Sequence, residues 1–312
     1  MSITKVSTVG MSREDWLKIR KGSIGGSDAA AIVGLNDYSS AYSVWAEKSE
    51  LLPEKEDNES MRQGRDLEEY VAQRFAEKTG KKVRRCNAII YNDLYPFAHA
   101  NIDRDIVGED AGLECKTASA LSLSRFKGGE YPSNYYVQCQ HYLAITGKQK
   151  WYLAVLVLGK DFLVFEIERD EAEIAALMEA ERRLWECVKS GENPSVDGSK
   201  ATTDAIKAIY PESSFGTTEL FERDFIIDEL MLIKNQIKDL EKMQAERENI
   251  LKADLGACEL GLSDRFKVTW KQQVRSSFDA KRFAEANPDI DLSPYYNVST
   301  FRKFEIRKKK GA

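Results

Sequence analysis

The stretch GLECKTA, residues 112–118, decides how this chain is read. In a β-strand, residues i and i+2 share a face. Glu114 and Lys116 then project side by side, while Leu113 and Cys115 face the other way. Two structures fit that pattern: a charge-braced strand on a solvated surface, or half of a metal-dependent nuclease site. The neighbouring sequence has to choose between them.

Working outward, three strand-like segments at about 83–91, 97–106 and 111–117 surround the stretch. Gly108, Glu109 and Asp110 make a turn, so the last two form a hairpin. Before them, Leu67, Val71 and Phe75 recur at fourfold spacing in a helix over 61–78, which Gly80 closes. After them comes a helix at about 133–146, then the continuous apolar run WYLAVLVL (151–158) and the alternating DFLVFEIE (161–168). That pair reads as a buried strand beside a half-exposed one. An amphipathic helix covers 170–190.

Near the start, Ser12 caps a helix through Trp16, Leu17 and Ile19, which Gly22, Gly25 and Gly26 break. A second helix starts at Ser27 or Asp28, and such a start favours anions, phosphate included. Residues 41–51 read as a helix and 53–60 as a charged loop. Composition shifts to glycine, proline and small polar residues at 191–203, the mark of a linker. A long helix follows from about 218 to 253, with Ile226, Leu230, Ile233, Ile237 and Leu240 in a heptad seam lost at Gln244. FKVTW (266–270) and FRKFEIR (301–307) alternate like strands. The order predicts an α/β core over 1–192, a linker over 193–217, and a helix with a small β extension over 218–312.

Composition narrows the chemistry. Five scattered cysteines lack the close spacing of zinc, redox or iron–sulfur motifs. Only two histidines, His99 and His141, are present, so histidine-dependent catalysis has few candidates. A net charge of -5 sets the chain apart from proteins that coat nucleic acid, and any such contact must come from local basic residues. No apolar run is long enough to span a membrane, and the first residues lack the build of a signal peptide. The expected location is cytoplasmic.

In chain order, Glu68 lies on the helix 61–78, Asp103 on a strand, Glu114 and Lys116 on its partner, and Tyr135 and Gln138 three apart on one face of the next helix. Phosphodiester hydrolysis needs a hard cation, carboxylates to hold it, and a cationic side chain to orient water. Asp103 and Glu114 suit magnesium, which prefers oxygen ligands and keeps waters. The Cys115 carbonyl adds a donor, and Glu68 supports the metal through water or helps to place a second one. Lys116 is then the residue that positions the nucleophilic water. Asp279-Ala280-Lys281 fits the same short pattern but follows Ser276 and Ser277 as a helix cap and has no acidic partner upstream.

These motifs resemble the YqaJ-type viral recombinase family, kin of the phage lambda exonuclease. The likeness runs through WLKIRKGSIGGSDAAAIVG, MRQGRDLEEYVAQRF, ANIDRDI, GLECKTA and YYVQCQHYL, in the family's order over about residues 12–185. The resemblance implies a restriction-endonuclease-like, PD-(D/E)xK nuclease core. It implies Asp103 and Glu114 as metal ligands, Lys116 as catalytic, Glu68 as metal support, and Gln138 and Tyr135 as the rest of the active face. Arg20 and Ser27 match positions that grip a 5′-phosphate in lambda-type relatives. Read alone, Arg20 also suits a helix C-terminal cation and Ser27 an N-cap.

The activity implied is a magnesium-dependent 5′→3′ exonuclease on linear double-stranded DNA, with manganese able to substitute. It leaves 3′ single-stranded tails for a phage-type single-strand annealing protein. Lambda-type relatives are ring-shaped trimers, so a homotrimer is the assembly suggested. The alternatives are an endonuclease of the same fold and a non-catalytic DNA-end-binding scaffold.

Overall fold

The computed structural model describes residues 2–53 and 57–307. The charged loop expected at 53–60 falls partly on residues 54–56, and the basic C-terminal run partly on 308–310, both outside the described residues. The chain divides into two units, Met1–Tyr210 and Pro211–Ala312.

The first unit begins with β1 (Ile3–Ser7), α1 (Arg13–Lys21), β2 (Ile24–Gly25), α2 (Gly26–Ile32), α3 (Ala41–Lys48) and α4 (Glu59–Thr79). It continues with β3 (Val83–Arg85), β4 (Ala88–Asn92), β5 (Ala98–Asn101), β6 (Arg104–Ile106), β7 (Ala111–Ala118) and a 3-10 segment over Ala120–Gly129. Then come α5 (Ser133–Thr146), β8 (Lys150–Val157), β9 (Asp161–Glu168), α6 (Glu171–Ser190) and α7 (Lys200–Ile209). The local signals are the expected ones. Ser12 Oγ accepts the Asp15 N–H at 3.0 Å to start α1, and Gly80 ends α4 in the left-handed region at φ 72°.

Two sheets form, ordered β1-β4-β5-β2 and β3-β6-β7-β8-β9. The strands expected at 83–91 and 97–106 each divide between them. β3 pairs with β6 and β4 with β5, so the chain changes sheet at Cys86–Asn87 and again at Ile102–Asp103. Asp103 therefore sits in the bend between β5 and β6 and not within a strand. Its side chain bonds a main-chain amide of β7 in place of a ladder bond, the competition that ends strands at short acidic residues.

β7 pairs in parallel with β8, with Glu114 opposite Leu153 and Gly112 opposite Trp151. The glycine is required there: a Cβ at 112 would lie 2.3 Å from the Trp151 ring. One face of β7 packs on α4, where Leu113 joins Val71, Ala72 and Phe75 in a core cluster. On the other face, Leu153 and Val155 of β8 pack in one cluster with Leu143 and Ile145 of α5. Leu113 and Cys115 thus go with α4, and Glu114 and Lys116 with α5.

The linker expected over 193–217 contains α7. Ser199 Oγ accepts the Thr202 N–H at 3.1 Å, and buried Thr202 donates to Ser40 Oγ at 2.7 Å. Buried Ala205 joins the main core. Small polar residues read as a linker here because a capped, ten-residue helix can bury a threonine and an alanine with few large apolar side chains.

The second unit contains α8 (Asp224–Leu255), β10 (Leu260–Leu262) paired with β11 (Lys267–Thr269), α9 (Ala280–Ala286) and a 3-10 turn at Ser293–Tyr295. α8 begins later than expected because Glu222 takes a left-handed φ of 61°. Ile226, Ile233, Ile237 and Leu240 of the seam are exposed. FRKFEIR is not a strand: β10 and β11 form a sheet of two, and alternation without a partner edge does not make a ladder.

Candidate active site

The site lies where the ladder between β6 and β7 stops. The pairs Asp105–Gly112 and Arg104–Leu113 are formed, and beyond them β5 and β6 belong to different sheets. Asp103 Oδ2 fills the gap by accepting the Cys115 N–H at 2.7 Å. A strand residue's N–H and C=O face the same edge, so the Cys115 carbonyl looks into the same gap. Asp103 is thereby set close enough to Glu114 for the two carboxyl groups to act on each other.

Glu114 is 3% exposed. Its Oε1 accepts from Lys116 Nζ at 2.5 Å and from Gln138 Nε2 at 2.7 Å. Gln138 is a two-ended bridge: its Oε1 takes Lys116 Nζ at 3.0 Å, and its amide also donates to Tyr142 Oη at 2.8 Å. Tyr135 holds its ring 5.5 Å from the Lys116 ammonium, within cation–π range. The other carboxylate oxygen, Glu114 Oε2, is buried and has no hydrogen-bond partner.

Charge makes that orphan oxygen informative. Burial, then the Glu114 carboxylate, then that of Glu68, push the Asp103 carboxyl well above the usual carboxylate range. Burial opposes the charge on Lys116, but Glu114 outweighs it, so Lys116 remains a cation far above neutral pH. An ammonium held in this way is not a neutral-pH base. Two carboxyl groups, those of Asp103 and Glu114, are crowded beside the single Lys116 ammonium, and one carboxylate oxygen is unused. An oxygen-seeking cation answers both.

The donors fit a magnesium-type ion: Asp103, Glu114 Oε2 and a main-chain carbonyl, all hard oxygens. Among the described residues, no three His, Cys, Asp or Glu side chains converge as a metal site. A cation here would complete its shell with water, which magnesium does readily. Glu68 acts on Asp103 through charge, and its Oε1 accepts from Arg104 Nη1 at 2.5 Å. Arg104 is 2% exposed and also holds Glu69 at 2.9 Å.

Arg20 and Ser27 meet. Arg20 Nη2 donates to Ser27 Oγ at 3.1 Å, with the guanidinium over the Trp16 ring at 5.5 Å. They line a cavity of about 400 Å³ with Arg13, Lys21 and Asn134. A second cavity of about 780 Å³ runs past Thr117 and Tyr135. Tyr38, Met61 and Asn134 line both, so the two adjoin as one groove from the Arg20 corner to Thr117 and Tyr135, the latter against the Lys116 ammonium.

Several participants were missed from sequence. Tyr142 lies four residues after Gln138 on the same helix face, a spacing that could have found it. It also links the two ends of the groove: a Cβ on Gly26, one residue before Ser27, would lie 2.5 Å from the Tyr142 ring. The Arg104–Glu68 pair and the Asp28–Lys48 pair carry no local sequence signal. On α5, His141 bonds Glu181 and the His99 carbonyl, each at 2.8 Å, and Gln140 bonds the Glu168 carbonyl at 2.8 Å.

A model of the YqaJ-like viral recombinase domain matches residues 15–149. The chain is 38% identical over 307 residues to the uncharacterized protein YqaJ of Bacillus subtilis strain 168, covering 96% of this chain and 95% of that one. Among solved structures it is similar to the alkaline exonuclease LHK-Exo of Laribacter hongkongensis, with a TM-score of 0.51 at 22% identity. That match covers 57% of this chain and 94% of LHK-Exo. The complex of LHK-Exo with dAMP gives a TM-score of 0.50 at 21% identity over the same shares. At such identities the likeness is one of fold, and the fold is the restriction-endonuclease-like one. No helix among the described residues is long and apolar enough to cross a membrane.

Proposed function

The chain belongs to the YqaJ-like viral recombinase family, and from that premise we propose that it is a magnesium-dependent nuclease that digests linear duplex DNA from its 5′ ends. The observation that carries this reading is the buried, unpartnered Glu114 Oε2 beside Asp103 and Lys116, with a groove that runs from neighbouring Thr117 and Tyr135 to Arg20 and Ser27. The fold shared with an alkaline exonuclease sets the frame; the reading itself rests on these side chains.

A divalent cation held by Asp103, Glu114 and the Cys115 carbonyl would supply phosphate polarisation and a more acidic attacking water. The remaining work belongs to the chain. Lys116, held by Glu114 and Gln138, presents a fixed ammonium to the reacting phosphate and its water. Preorganised charge of this kind acts without reorganisation during reaction. Arg20 offers a charge-assisted fork to a terminal phosphate, and Ser27 adds a hydroxyl. The product of such digestion is a 3′ single-stranded tail, the substrate of a phage-type annealing protein, and a trimer would enclose the duplex during it.

The test uses 5′-phosphorylated linear duplex and closed circular duplex with magnesium, comparing the wild type with Lys116→Ala. Loss of 5′ nucleotides from the linear substrate by wild type alone is the expected result. Cutting of the circle would assign an endonuclease of the same fold. Binding of ends without any metal-dependent product would assign a scaffold and sink the catalytic reading.

A further inference from the structure

The Arg20–Ser27 corner is built around a third residue, Lys48, at the last turn of α3. The Lys48 side chain is 1% exposed, and its ammonium makes two bonds, 2.8 Å to Asp28 Oδ2 and 2.7 Å to the Arg20 carbonyl. Asp28 Oδ2 also accepts the Gly25 N–H at 3.0 Å. One buried ammonium therefore ties the end of α1, through the Arg20 main chain, to the first turn of α2, through Asp28 and the Gly25 turn. Those two segments carry the two side chains of the corner.

Charge gives Lys48 a second task. Asp28 follows Ser27 directly and lines the same cavity, so an anion in the corner meets its carboxylate. Burial opposes the ionisation of Asp28, but Lys48 first and Arg20 second outweigh it and hold the carboxyl below its usual range. A buried carboxylate that stays ionised beside an anion site needs its own counter-ion. With Lys48 in that role, Arg20 is free to act on the ligand.

We propose that Lys48 is the positioning residue of this corner: it clamps the Arg20 main chain against the Gly25–Asp28 turn and neutralises Asp28, so that Arg20 and Ser27 are held for a 5′-phosphate without the Asp28 charge opposing it. Lys48 is buried and acts through Arg20, Ser27 and Asp28. The proposal rests on reading the corner as a 5′-phosphate site.

The measurement is the ratio of hydrolysis rates on duplex ends bearing a 5′-phosphate and a 5′-hydroxyl, for the full-length protein. The 5′-hydroxyl rate is the internal control for folding and for the chemistry at Glu114. Wild type is expected to prefer the phosphate. Lys48→Met is expected to lower the ratio by about tenfold or more, the worth of one hydrogen bond to a charged group. The loss should appear in KM for the phosphorylated end, with the 5′-hydroxyl rate nearly unchanged. Removing one partner of a buried pair can unfold a protein, so the neutral pair Asp28→Asn/Lys48→Met is measured beside it. That variant lacks the clamp but also lacks the opposing charge, and is expected to recover part of the ratio. A wild-type ratio of one would overturn the 5′-phosphate reading and this proposal with it. A wild type that discriminates, with variants that keep its ratio, would overturn the role of Lys48 alone.

Discussion

Asp103 Oδ2 accepts the main-chain N–H of Cys115 at 2.7 Å, which ties a bend carboxylate to the strand that presents Glu114 and Lys116. The bond fixes Asp103 at the cost of setting it close to two other carboxylates, those of Glu114 and Glu68.

Asp103→Asn separates these two effects. The amide oxygen still accepts from Cys115, so the bend keeps its tie, while the charge is gone. Activity is expected to fall by roughly a hundred- to a thousandfold, the scale seen when one preorganised electrostatic group is lost. Melting without divalent cations is expected to be unchanged or higher, because a buried carboxyl whose ionisation two neighbouring carboxylates oppose has been replaced by a neutral amide. Magnesium should raise the melting temperature of the wild type and not of the variant. A variant that melts lower in metal-free buffer would show that carboxylate crowding does not burden the fold.

Tyr142→Phe tests the Gln138 bridge. Gln138 Nε2 loses one of its two acceptors but keeps Glu114, so the amide can swing without leaving the site. The expected loss is about five- to tenfold in kcat, the worth of one neutral hydrogen bond of about 1 kcal/mol, with little change in KM. Unchanged kcat would mean that Glu114 and Lys116 alone hold Gln138 in place.

The α/β core was legible because its signals are local. Period-4 spacing in α4, the apolar run of β8, and the caps at Ser12 and Gly80 all act within a few residues. The contact among Glu114, Lys116 and Gln138 was legible because the first two are neighbours on one strand face and Gln138 follows on the next helix. What escaped depended on contacts across the fold. Nothing near Glu68 in sequence announces that Arg104, 36 residues on, will claim its carboxylate. The division of the 97–106 segment between two sheets is likewise accompanied by Asp103 finding an amide 12 residues away.

The extent of the first unit can be tested by truncation. Thr202 and Ala205 of α7 are buried, and Thr202 bonds Ser40 at the cap of α3. Ending the chain after residue 210 is expected to leave the melting of the first unit intact, whereas ending it after residue 199 removes those contacts. The shorter chain should be less stable by about 2 kcal/mol or more, from one lost buried hydrogen bond and the apolar area that α7 covers. Urea unfolding of the two truncations compares them directly. Equal midpoints would place α7 outside the cooperative unit.

The two histidines set opposite limbs of the pH–stability profile. His99 is buried with Nδ1 at 2.8 Å from Ser23 Oγ. Burial first, with the Lys48 and His141 charges adding, lowers its pKa from 6.5 to about 3. The unfolded chain then binds the extra proton before the folded one does, so stability falls as pH drops from 6.5 toward 3. His141 runs the other way. Burial opposes its proton, but Glu181 outweighs that and raises its pKa, so the stability it adds below 6.5 is lost as pH rises through the raised value. His99→Gln removes the first limb alone, because His141 donates to the main-chain carbonyl of residue 99. Between pH 6.5 and 4.5, above the range where Asp28 titrates, the wild type should lose up to about 1.4 kcal/mol per pH unit more than the variant. Denaturant midpoints across that window give the difference. Parallel profiles would show that His99 accepts its proton in the folded state as readily as in the unfolded one.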